Sequence, residues 1–167
     1  MKRSLKFAVF ALVLSLSPTI ARAGDNPLIG TWKLKSFVRE LSTGERYNQL
    51  GEHPDGYLSY PADGRMYAII VTDNQIRPRS EAPTDEERIE LHKGMIAYAG
   101  AYTIEGGKVT HHVDISWNGA RKGTDQVRFY TLDGDILTIK TAPNISPVDG
   151  REGVGIVVWE KVKASAP

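Results

Sequence analysis

Residues 99–141 read AGAYTIEGGKVTHHVDISWNGARKGTDQVRFYTLDGDILTIKT, and this stretch decides the fold. Short runs rich in Val, Ile, Thr, Tyr and Phe are cut by Gly106-Gly107, Asn118-Gly119 and Asp133-Gly134. β-Branched and aromatic residues suit a pleated, half-buried surface. Paired Gly, Asn-Gly and Asp-Gly suit tight hairpin turns because these residues tolerate positive φ. The stretch therefore predicts antiparallel strands over 99–105, 108–117, 124–132 and 136–141. Within 108–117 the parity divides an apolar side, Val109, His111, Val113, Ile115 and Trp117, from Thr110, His112, Asp114 and Ser116.

Towards the N-terminus the same pattern predicts strands over 28–40, 45–50, 57–60 and 65–71. Trp32, Leu34, Ser36 and Val38 share one parity of the first, and Asp63-Gly64 turns the third into the fourth. The period then changes. Thr84-Asp85-Glu86-Glu87 has the form of a capping box with Pro83 ahead of it, which predicts a helix over 85–96 with Ile89, His92 and Ile96 on one face. Towards the C-terminus a loop over 142–152 leads to a closing strand over 153–161 and a frayed tail. The sum is an all-β chain of about nine antiparallel strands with one inserted α-helix. An open sheet of that size leaves exposed edges, so closure into a barrel or packing as a sandwich is expected.

The first 23 residues read as a signal peptide. Lys2, Arg3 and Lys6 precede an apolar run over 7–16, Ser17 and Pro18 end it, and Ala21-Arg22-Ala23 supplies small residues at the positions a signal peptidase reads. A run of about ten apolar residues is short of the roughly twenty that span a bilayer, so no stable membrane insertion is expected. The absence of cysteine leaves no lipoprotein acylation site, thiol chemistry or thiolate metal site. Cleavage near Ala23 would place one domain, residues 24–167, in the periplasm or outside the cell. The leader holds four basic residues, so 21 basic against 20 acidic residues becomes 17 against 20. That balance argues against a nucleic-acid surface.

Gly30-Thr31-Trp32 at the start of the first strand, within Leu28-Ile29-Gly30-Thr31-Trp32-Lys33-Leu34, resembles the opening motif of lipocalins and their calycin relatives. Further matching stretches are 56–60 with Asp63-Gly64-Arg65-Met66, Thr110-His111-His112-Val113, 123–130, 132–137 and Val158-Trp159-Glu160. Over 28–161 the chain resembles the bacterial and fungal lipocalin-like domain family. The resemblance implies a lipocalin-like (calycin) antiparallel β-barrel whose cavity takes a small, largely hydrophobic molecule. It also implies that Gly30 and Trp32 close the barrel base, with Lys161 covering the indole.

Candidate site residues follow from parity. Arg128 shares a face with Gln126, Tyr130 and Leu132; it either snorkels across the exterior or points inward to meet a carboxylate or an anionic ligand group. His111 is the polar member of an apolar set, and either His111 or His112 can face a cavity, where a neutral imidazole both donates and accepts. Tyr60, Tyr67, Tyr102 and Tyr130 offer ring surface and hydroxyls to a ligand. No cofactor is expected. Four scattered histidines, with no His-x-His pair, speak against a metal site. Three functions remain open: an exported binder of a small hydrophobic ligand, in which an anionic group is an option; a cyclase or isomerase using His111, His112 and Arg128 in the same cavity; or a filled barrel acting through its surface. A cavity of about 300 Å³ or more, lined by Arg128 and a histidine, favours the first two.

Overall fold

The computed structural model describes residues 26–163. The expected leader and its cleavage point near Ala23 lie outside the described residues. Ten strands form one antiparallel sheet: β1 (Gly30–Leu41), β2 (Arg46–Asn48), β3 (Asp55–Tyr60), β4 (Arg65–Val71), β5 (Met95–Glu105), β6 (Lys108–Ser116), β7 (Asp125–Asp133), β8 (Ile136–Thr141), β9 (Asn144–Ile145) and β10 (Glu152–Lys161). Their order is β2-β1-β3-β4-β5-β6-β7-β8-β10-β9, and β1 also pairs with β10. Eight strands thus close an antiparallel barrel, which leaves no free edge around the wall. The short β2 and β9 are additions on β1 and β10.

Register gives the barrel two unlike ends. Gly30↔Tyr60, Glu105↔Lys108, Asp133↔Ile136 and Trp32↔Lys161 lie at one end, which we call the base. The base turns are short, at 61–64, 106–107 and 134–135. The opposite end, the mouth, carries the long connections 72–94, 117–124 and 142–151.

The base is packed solid by Trp32, Tyr60, Met66, Val109 and Leu137, each fully buried. Burial of a large apolar side chain contributes about 1.5–3 kcal/mol. Trp32 donates its indole N–H to the Leu28 carbonyl at 2.8 Å, and Lys161 Nζ lies 5.2 Å from the indole centroid. Gly30 has φ of 135°, a conformation that strains any L side chain, while a Cβ there would meet only the flexible Lys161 Cε at 3.1 Å, so it is the backbone that calls for glycine.

Two β-bulges change the expected parity. In β1, Leu34 pairs with Trp159 but Ser36 pairs with Val158, so Lys35 is an extra residue. The expected set Trp32, Leu34, Ser36 and Val38 is therefore broken. Trp32 and Leu34 point inward, but beyond the bulge it is Phe37 and Arg39 that do so. In β6, Ile115 pairs with Ala99 and Val113 with Gly100, leaving Asp114 extra. Ile115, placed in the apolar set by its parity, is 65 % exposed as a result. Gly100 is the residue that lets the two backbones approach there, since a Cβ would sit 1.9 Å from the His112 carbonyl oxygen.

The helix α1 (Asp85–Lys93) carries the expected capping box: Thr84 Oγ1 accepts from the Glu87 N–H and the Glu87 carboxylate accepts from the Thr84 N–H. It ends at Lys93, three residues before the expected end, with Gly94 as its C-cap, and Met95 and Ile96 already belong to β5. The expected shared face of Ile89, His92 and Ile96 is therefore broken, since Ile96 lies in β5. No residue of α1 is buried, and Ile89 is exposed because the helix lies beside the mouth without entering it.

Candidate functional site

Above the packed base the barrel keeps a hollow of about 60 Å³. This is far below the 300 Å³ used as the expectation for a ligand-sized cavity, because Phe37, Leu58, Ile70, Ile96, Ile139 and Val157 close in on it from the wall. Its polar lining comes from Arg39, Gln49, Tyr98, His111, Arg121 and Arg128, with Asn144 at the mouth. No aspartate or glutamate lines it.

Three guanidiniums therefore share one small space. Arg39, brought inward by the β1 bulge, is 2 % exposed. Its Nη1 donates to the Asn144 side chain at 3.1 Å, and its Nη2 to the carbonyls of Asn144 and Arg151 at 2.8 and 3.1 Å. Arg128, on the inward parity of β7, is 8 % exposed and donates to the Val127 carbonyl at 2.9 Å and to Gln126 Oε1 at 3.3 Å. Arg121, in the 3₁₀ turn Gly119–Arg121, lies over the Trp117 ring at 5.9 Å. Among the described residues none of the three is in a salt bridge. Burial holds Arg121 below the usual arginine value; Tyr98 opposes that shift, while Arg128 and Arg39 add to it. Like charges in a poorly solvated space disfavour one another.

Below the arginines runs a chain of three rings. His111 Nε2 is 2.7 Å from the Tyr60 hydroxyl and its Nδ1 is 3.0 Å from the Tyr98 hydroxyl. Burial drives His111 well below the usual histidine range, and the charges of Arg128 and His112 push the same way. The ring is thus neutral near pH 7. Burial also drives the Tyr60 phenol well above its usual value, so both groups keep their uncharged forms.

Three buried polar atoms have no hydrogen-bond partner among the described residues: Arg39 Nε, Gln49 Oε1 and Trp159 Nε1. All three belong to residues that line the hollow. Buried polar groups are paired in the great majority of cases, so their concentration around one space marks it as a place for polar company. Gln49 also borders a wider groove of about 300 Å³, open to solvent beside α1, into which Glu90 and Lys93 face.

The sequence-derived candidates separate accordingly. Arg128 and His111 line the hollow. Tyr60 points inward beneath it and reaches it only through His111. Tyr102 and Tyr130 lie nearer the base: Tyr102 accepts from Asn26 Nδ2 at 2.6 Å and packs edge-on to Tyr60, and Tyr130 donates to the Gly106 carbonyl at 3.2 Å. His112 and Tyr67 are corrections, for both stand on the outer wall. His112 bonds Thr103 and Asp125 there, as its opposite parity to His111 requires, and Tyr67 is 49 % exposed. Arg39, Tyr98 and Arg121 were not foreseen.

Among the described residues no cluster of three His, Asp or Glu is placed to hold a metal ion, and no helix is long and apolar enough to cross a membrane. The family model described as a lipocalin-like domain matches residues 29–162. No curated protein matches the chain.

Proposed function

The chain belongs to the lipocalin-like domain family, and on that premise we propose that it is an exported binder of a small organic anion, held in the mouth half of the barrel. The observation that carries this reading is the set Arg39, Arg121 and Arg128 around one hollow with no acidic residue in its lining. An isolated buried charge is costly, and three of one sign are worse. A ligand that brings a negative oxygen supplies the missing counter-charge inside a poorly solvated site, where such contacts are strong. The aliphatic wall then covers the carbon part of the ligand.

Size restricts the class. A cavity of about 150 Å³ takes benzene, so a hollow of about 60 Å³ suits a short-chain acid better than an aromatic or a lipid. The largely hydrophobic occupant expected from the family resemblance gives way to a small polar-headed one.

Calorimetric titration with sodium propionate, propionamide and propylammonium chloride tests the reading. Propionate should bind at least about tenfold more tightly than either other probe, and Arg128→Met should remove most of that preference, as loss of a charge-assisted contact does. Equal affinity for all three probes, or no binding of any, overturns the reading and leaves the filled barrel acting through its surface. Export is the second half of the proposal. The intact mass of protein recovered from the periplasmic or culture fraction should correspond to a chain starting at Gly24. Full-length protein retained in the cytoplasm contradicts it.

A further inference from the structure

We infer that Tyr98 is the hydroxyl donor that recognises the ligand's anionic oxygen, and that Tyr60 and His111 act as positioning residues that keep its hydrogen free. The inference rests on the small-anion reading of the same hollow and names the group that does the recognising.

The argument is a count of hydrogens. The Tyr60 side chain is fully buried, and the one partner of its hydroxyl among the described residues is His111 Nε2 at 2.7 Å. A buried O–H that donates to nothing is strongly disfavoured, so Tyr60 donates to Nε2. His111 is neutral and carries one N–H, which must then sit on Nδ1. That N–H points at the Tyr98 oxygen, 3.0 Å away, and Tyr98 accepts it. Tyr98 cannot donate along the same line, and its own hydrogen has no other acceptor among the described residues. Because Tyr98 lines the hollow, that hydrogen is available there. The reverse arrangement, with Nε2–H donating to Tyr60, strands the Tyr60 hydrogen in the packed base.

The other unpartnered atoms agree. Arg39 Nε and Trp159 Nε1 are both donors, buried, on lining residues. Gln49 can present either end of its amide. A site that offers mainly donors from several directions fits a carboxylate, which has two oxygens and only accepts.

Two measurements decide the matter. In ligand-free protein with ¹⁵N-labelled histidine, long-range ¹H–¹⁵N correlation should show His111 protonated on Nδ1 and unprotonated on Nε2. A ring protonated on Nε2, or on both nitrogens, overturns the inference. In the second measurement Tyr98→Phe should weaken propionate about ten- to hundredfold, the loss of one hydrogen bond to a charged group, without shifting the urea midpoint by a comparable factor. Unchanged affinity also overturns it. If the wild-type protein binds no propionate yet His111 shows the Nδ1–H form, the small-acid function fails while Tyr98 stands as a free donor into the hollow, so the two failures are told apart.

Discussion

Arg39 and Asn144, 105 residues apart, are joined twice: Nη1 meets the side-chain oxygen at 3.1 Å and Nη2 the backbone carbonyl at 2.8 Å. The same Nη2 takes the Arg151 carbonyl at 3.1 Å, so one guanidinium on β1 fastens both ends of the 142–151 connection across the mouth. Arg39→Met removes the guanidinium donors from Asn144 and leaves the Arg151 carbonyl with the Ser146 N–H alone, at 3.0 Å. Stability should fall by about 2–4 kcal/mol, read as a lower urea midpoint, with faster amide exchange over 144–153. An unchanged midpoint would show that the connection is held by other contacts, such as Ser146 to Gln49 at 2.6 Å.

Arg128 should behave in the opposite sense. Its partners are the adjacent Val127 carbonyl and the Gln126 side chain, neither of them charged. Replacing an unpaired, desolvated charge by an aliphatic chain of similar length often stabilises a protein by about 1–3 kcal/mol. Arg128→Met should therefore raise the urea midpoint while weakening propionate. A drop as large as that expected for Arg39→Met would show that this charge is no burden on the fold.

His111 gives a pH dependence whose sign is fixed. Its folded-state pKa lies below the ordinary 6.5 because burial disfavours the imidazolium. The unfolded chain therefore binds a proton that the folded chain refuses. The stabilising effect is complete above about pH 6.5 and declines as the pH falls through that value, by up to about 1.4 kcal/mol per pH unit until the folded ring itself protonates. His111→Gln should flatten this part of the stability curve between pH 6.5 and 5, measured by urea unfolding. A wild-type curve equally steep in the variant would assign the slope to other groups.

The sequence made much of this barrel legible. Asp63-Gly64, Gly106-Gly107 and Asp133-Gly134 mark the three short base turns, since each needs a residue free of Cβ hindrance, and Thr84 with Glu87 marks the start of α1. Simple alternation groups Arg128 with Gln126 and Tyr130 once β7 is found, but leaves open which way that face turns, and the structure turns Arg128 inward. Arg39 was hidden because a bulge is a backbone event with no side-chain signature, and counting by two from Trp32 puts Arg39 outside. Tyr98 is hidden for a related reason: the helical spacing continues past Gly94 to Ile96 and masks the first inward residues of β5. Arg121 sits in a turn, where no periodicity predicts direction. The hollow itself was undetectable in sequence, because volume depends on how far apposed side chains reach.

The extra residue Lys35 makes β1 serve two chemistries. On one side of it the strand contributes indole and aliphatic bulk to the sealed floor, and on the other it delivers a cation to the chamber. Keeping every residue but drawing Lys35 into regular alternation would turn everything beyond it over, presenting Val38 to the chamber and Arg39 to water. The charge character of the chamber is consequently written in backbone registration as much as in residue identity, and a chain of the same length with a regular strand here would be expected to welcome a different cargo on an otherwise superimposable wall.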